Sequence, residues 1–111
     1  MRITQEAVIP REKLTRYLLA WRAQGDKSKF LAQAGFTVEN PGALLRALRV
    51  LAARAEAVPD GENQYGEFLR VEGDLTGPNG VSLRVTTIWL RWHADGSVHF
   101  VTLKPQREQR S

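Results

Sequence analysis

The hydrophobic period of this chain changes once, at Pro59-Asp60-Gly61. Ahead of that point apolar residues recur at spacings of three and four; beyond it they recur at every second position. The first half can therefore bury one apolar side only as helices, and the second only as strands. The expected fold class is α+β, with three N-terminal helices packed on a C-terminal antiparallel sheet of three or four strands. A chain of 111 residues is expected to form a single domain over 1–111, with a helical half at 10–57, a sheet half at 64–104 and a frayed tail at 106–111.

Within the helical half, Leu14, Tyr17, Leu18 and Trp21 stand at i, i+3, i+4 and i+7 after Pro10, a residue suited to the first helical position, with Arg11, Arg16 and Arg22 turned away. Gln24-Gly25-Asp26 breaks this segment. Lys27, Phe30, Leu31 and Ala34 then predict a short second helix, which ends at Gly35 in a left-handed cap. Asn40-Pro41 reads as an N-cap followed by proline at N1. Leu44, Leu45, Leu48, Leu51, Ala52 and Ala55 continue it as the apolar stripe of a third helix, with Arg46, Arg49 and Arg54 off the stripe.

In the second half, Leu69, Val71 and Leu75 keep strand parity, and Gly77-Pro78-Asn79-Gly80 forms a turn before the run from Val81 to Trp92. Asp95-Gly96 reads as a two-residue turn, giving a meander of three strands over 66–104. That turn pairs residues whose numbers sum to 191, placing Trp92 opposite His99, Leu90 opposite Val101 and Ile88 opposite Leu103 on the core face. The reverse face then carries Arg91 opposite Phe100, Trp89 opposite Thr102 and Thr87 opposite Lys104. Apolar parity switches at Thr86-Thr87, which requires either a bulge there or a sheet covered on both faces.

Composition narrows the chemistry. Apolar residues make up 42% of the chain and charged ones 25%, ordinary for a folded domain. With no cysteine there is no disulfide, thiol nucleophile or thiolate metal site. No apolar run is long enough for a membrane span and the first ten residues are mixed, so a cytoplasmic protein is expected, without membrane partners. Residues 1–58 hold ten Lys/Arg against five Asp/Glu, whereas 59–111 hold six against seven. A basic first half is compatible with a phosphate-rich partner, and also with solvated helix faces that supply solubility.

His93 and His99 are the groups that titrate near neutral pH. No GxSxG, P-loop, HExxH or dinucleotide glycine pattern is present, and neither a metal nor a cofactor is expected. The chemistry left open is metal-independent cleavage of RNA, in which the 2′-hydroxyl is the nucleophile and the protein supplies a cation, a proton acceptor and an orienting hydroxyl. Lys27, Thr87, Thr102 and His99 are the candidate catalytic residues. Lys29, Trp89, Arg91 and Lys104 are the candidates for nucleic-acid binding, cations for phosphate and an indole for a base. The same Trp89 and Phe100 surface, or a strand edge, would equally hold a protein.

Ile9 to Leu19, Lys27-Ser28-Lys29-Phe30-Leu31 with Gly35-Phe36, Gly66, Val71-Glu72-Gly73, Pro78-Asn79-Gly80, Val85 to Trp89 and Val101 to Pro105 together resemble one bacterial domain-of-unknown-function family, number 6883. The resemblance covers about residues 7–105. It implies a small module of the kind that also ends phage-head and polymorphic toxin proteins, and hence an effector or RNA-cleaving role with helices ahead of an antiparallel sheet. Lys27, Thr87, Trp89 and Thr102 fit the pattern. Thr86 stands where the family has arginine, and Leu69 and Lys104 where tyrosine is frequent.

Overall fold

The computed structural model describes residues 2–19 and 27–106. Three helices precede four strands: α1 (Lys13–Leu18), α2 (Ser28–Ala32), α3 (Pro41–Arg54), β1 (Ala57–Glu62), β2 (Gly66–Thr76), β3 (Ser82–Trp92) and β4 (Val98–Pro105). The strands form one antiparallel sheet in the order β1-β2-β3-β4. The molecule is thus α+β, with one sheet-like contact made ahead of the helices, where Val8 bridges His99 in parallel.

α1 is wound as a π-helix, closed by the Leu19 N–H bonding to Leu14 O at 2.8 Å. The wider turn brings Leu14, Leu18 and Leu19 into the core together. The side chains of Arg16 and Tyr17, together with Trp21, Arg22 and the expected break at 24–26, lie outside the described residues. α2 ends as its sequence predicts. Gly35 has φ +89, and the Phe36 N–H returns to Leu31 O at 3.2 Å.

α3 buries Leu44, Leu48, Leu51 and Ala52 against the sheet. Asn40 does not cap it by side chain. Its Oδ1 instead accepts from the Thr37 N–H and the Thr37 hydroxyl, both at 3.0 Å, and so closes the preceding loop. Leu51 packs over Gly73, where an added Cβ would lie 2.5 Å from Leu51 Cδ1.

Pro59-Asp60-Gly61 belongs to strand β1 and is not a turn, so the helical half ends before Ala57. On an edge strand Pro59 need not supply an N–H to a ladder. Gly61, at φ +94, carries the register shift between Pro59 and Glu62. β2 and β3 pair without interruption from Gly66↔Trp92 to Thr76↔Ser82. Their inward positions are odd-numbered throughout, Leu69, Val71 and Leu75 facing Leu83, Val85, Thr87 and Trp89.

The last hairpin departs from expectation. The Trp92 N–H bonds to Ser97 O at 2.9 Å, so the connection spans His93 to Gly96 and the pairs become Leu90↔His99 and Trp89↔Phe100. Beyond a bulge the register shifts again, to Ile88↔Thr102, Thr87↔Leu103 and Thr86↔Lys104. The bulge displaces Val101 on β4 and leaves β3 continuous. Ile88, Leu90 and Trp92 therefore occupy the outer face and Thr87 and Trp89 the core, the reverse of the alternation expected from this strand alone. Gln106, placed in the frayed tail by its sequence, donates its N–H to Arg84 O at 2.9 Å; residues 107–111 lie outside the described residues.

Candidate functional site

Thr87 is fully buried and Trp89 is 1% exposed. The Thr87 hydroxyl donates to Val71 O at 2.8 Å and accepts from Trp89 Nε1 at 2.9 Å, and the indole stands edge-on to Phe100 with centroids 5.3 Å apart. Every polar atom of the pair is satisfied internally. A hydroxyl and an indole so placed meet neither a phosphate nor a base, and the solvent-facing positions expected for them are corrected to the core.

Lys27, at the start of α2, donates from Nζ to Thr102 Oγ1 at 3.1 Å. Cross-strand partners share a face. Thr102, opposite Ile88, thus stands on the side of the sheet away from Thr87. The structure joins Lys27 to Thr102 and Thr87 to Trp89, but it does not join the two pairs. Lys29 is exposed on α2 and Lys104 is exposed on β4. Arg91 is half-buried in an ion pair with Glu67.

His99 is half-buried, its ring 5.7 Å from that of Trp92. Its Nε2 lies 3.0 Å from Ser97 Oγ, and the Ser97 hydroxyl and N–H both donate to Asp95 Oδ1, at 2.7 and 2.9 Å. The serine has one proton and it is given to the carboxylate, so His99 Nε2 is the donor toward Ser97. This is a clasp on the hairpin connection rather than a base activating a hydroxyl. The two Ser97 hydrogen bonds hold the Asp95 carboxyl below its ordinary value of 3.8.

Part of the first half's positive charge is spent within the fold. Lys13 Nζ donates to Val101 O at 3.0 Å, Arg49 to Gln5 O and Ala7 O at 3.1 Å, and Arg2 to Ala53 O at 3.0 Å and to Glu56. On the sheet, Arg70 pairs with Asp60 and Glu72, and Arg84 with Asp74. Arg46 and Arg54 of α3 are exposed and make no such contact among the described residues.

These two arginines border a trough of about 720 Å3 between α3 and β2. Its helix side is small and apolar, with Ala43, Ala47 and Val50; Val50 is 49% exposed. Its sheet side is β2 beyond Val71, where β1 has already ended, since the last β1 partner is Ala57↔Val71. The Gly77 N–H bonds to Val81 O and the His93 N–H to Tyr65 O, so odd-numbered residues of β2 direct their backbone groups to β3 and even-numbered ones to the opposite side. Asp74 and Thr76 therefore aim N–H and C=O groups into the trough, and among the described residues these have no backbone partner. The β4 edge is different: Val8 donates to Val98 O and accepts from the Phe100 N–H, both at 2.8 Å, and Lys13 takes Val101 O.

The family model described as Domain of unknown function (DUF6883) matches residues 2–107. The chain belongs to the DUF6883 family. No curated protein and no solved structure matches it. Among the described residues of this DUF6883 chain, no helix is long and apolar enough to cross a membrane. The trough was not legible in its sequence. Arg46, Val50 and Arg54 do share one side of α3 at i, i+4 and i+8, a pattern visible in advance, but its meaning depends on β1 stopping short of Asp74.

Proposed function

We propose that this DUF6883 chain is a protein-interaction domain of adaptor or immunity-like type, which holds an extended segment of its partner beside β2, in line with β1. The observation that carries the reading is the bare edge: Asp74 and Thr76 present backbone donors and acceptors to a trough large enough for a peptide, while Val8 and Lys13 cover the β4 edge from Val98 to Val101. β1 is guarded in another way, by Pro59 and a bulge. Main-chain pairing on the vacant edge would supply affinity, and α3 would supply the surface that reads side chains. The competing reading, a toxin-related RNA-binding or RNA-cleaving module, has to rest on Lys27, Lys29, Thr102 and Lys104, because Thr87 and Trp89 are sealed.

The test is selection of displayed random peptides on the purified chain beside an Asp74→Pro variant. Proline at 74 deletes an N–H that faces the trough and leaves the β2–β3 ladder intact. Enriched peptides should bind the parent chain and lose about tenfold or more in affinity for the variant, with melting temperature changed by only a few degrees. If no peptide is enriched and total RNA is bound with steep salt dependence, the RNA reading takes its place.

A further inference from the structure

We infer that the occupant of this trough is an acidic strand, in which two carboxylates four residues apart flank a small apolar side chain. The inference rests on the protein-interaction reading and adds the chemistry of the partner. Arg46 and Arg54 are eight positions apart on α3, a separation of about 12 Å along the helix axis. In an extended strand residues i and i+4 lie about 13 Å apart and project to the same side, with i+2 between them. Val50 stands midway between the two arginines on the same side of the helix, and it is the exposed apolar residue that the helix contributes to the trough. A strand paired with Asp74 and Thr76 would thus set an acid near each guanidinium and an apolar residue over Val50.

Charge complementarity decides the sign. The arginines that face the sheet or the N-terminal segment already hold carboxylates or carbonyls, namely Arg2, Arg49, Arg70, Arg84 and Arg91. Asp74, the acid beside the trough, has its carboxylate 3.3 Å from Arg84 on the outer face and does not neutralise Arg46 or Arg54. A carboxylate on the incoming strand would give each guanidinium a forked acceptor. The small side chains of Ala43 and Ala47 leave the strand room to approach the helix.

The experiment measures binding of four labelled heptapeptides to the parent chain, an Arg46→Glu/Arg54→Glu variant and the Asp74→Pro variant, at low and high salt. The first is Thr-Glu-Thr-Val-Thr-Glu-Thr. The others replace both glutamates by glutamine, replace both by lysine, or move the second glutamate one place so that the acids lie on opposite sides. The expected result is that the first peptide binds the parent about tenfold tighter than the glutamine and shifted peptides at low salt, with the advantage shrinking at high salt. The arginine-to-glutamate variant should prefer the lysine peptide. If glutamate and glutamine peptides bind equally and both are lost in Asp74→Pro, the acidic partner is overturned while the edge reading stands. If none binds at millimolar concentration, or the chain instead forms a dimer that Asp74→Pro disperses, both are overturned.

Discussion

Thr87 shows how a single hydroxyl can look like a site and be part of the core. Its neighbours Val85 and Trp89 face inward on the same strand, so the pleat takes Thr87 with them and its oxygen must be satisfied there. Val71 O and the Trp89 indole do this, at 2.8 and 2.9 Å. Thr87→Val keeps the shape but leaves a buried indole N–H without an acceptor, at a cost of about 2 kcal/mol in urea unfolding. Thr87→Ser keeps the hydroxyl and should cost about 1 kcal/mol, for the lost methyl group. A valine variant as stable as the serine one would show that the hydrogen bonds contribute nothing. Thr87 has the residue type that an active site also needs, and nothing in its own identity separates the two roles.

At the scale of the element, α2 and α3 were legible where a boundary has a local chemical cause, Pro41 at N1 of α3 and Gly35 at the end of α2, and where an apolar stripe packs as its spacing predicts. The π-winding of α1 and the absence of a side-chain cap from Asn40 were not. Strands β2, β3 and β4 were legible in place but not in facing. The alternation Ile88, Leu90, Trp92 is locally stronger than Thr87, Trp89, Arg91. The longer run of odd positions, Leu69, Val71, Leu75, Leu83 and Val85, nevertheless fixes the sheet, because β2 and β3 pair without a bulge. β1 was missed since Pro-Asp-Gly is also turn chemistry, and only its position on the edge makes a strand of it.

The glycines of the β2–β3 hairpin separate packing from turn geometry. Gly77 has no positive φ, yet an added Cβ would fall 1.8 Å from Ala34 O, because the hairpin tip docks on the end of α2, where Asn79 Nδ2 also donates to Gln33 O at 3.0 Å. A backbone carbonyl cannot step aside as a side chain can. Gly77→Ala should therefore destabilise by about 4 kcal/mol or more. Gly73→Ala meets only the Leu51 methyl and should cost about 1–3 kcal/mol by overpacking. Denaturant midpoints of the two variants check the order, and equal costs would mean that the tip does not dock.

For the whole molecule, the basic balance of the first half was legible, but its destination was not. Guanidinium and ammonium groups that would have served a polyanion are tied to carbonyls of the N-terminal segment, β4 and the end of α3. Among the described residues Arg11, Lys29 and Lys104 stay exposed, and two further arginines stand beside a strand position that β1 fills only as far as Ala57↔Val71. An adjacent pair of strands of unequal length leaves backbone groups unpaired, and a helix laid alongside turns that gap into a trough that can select among partners. No property of β1 or β2 taken singly predicts it.

Amide hydrogen exchange along residues 71–76 tests this most directly. In the free chain the Asp74 and Thr76 amides should exchange rapidly while those of Val71, Gly73 and Leu75, bonded to β3, stay protected; saturation with the Glu-Thr-Val-Thr-Glu peptide should slow Asp74 and Thr76 and leave the others unchanged. Slow exchange at Asp74 and Thr76 in the free chain, or no change there at saturation, would contradict the vacant edge on which the account stands.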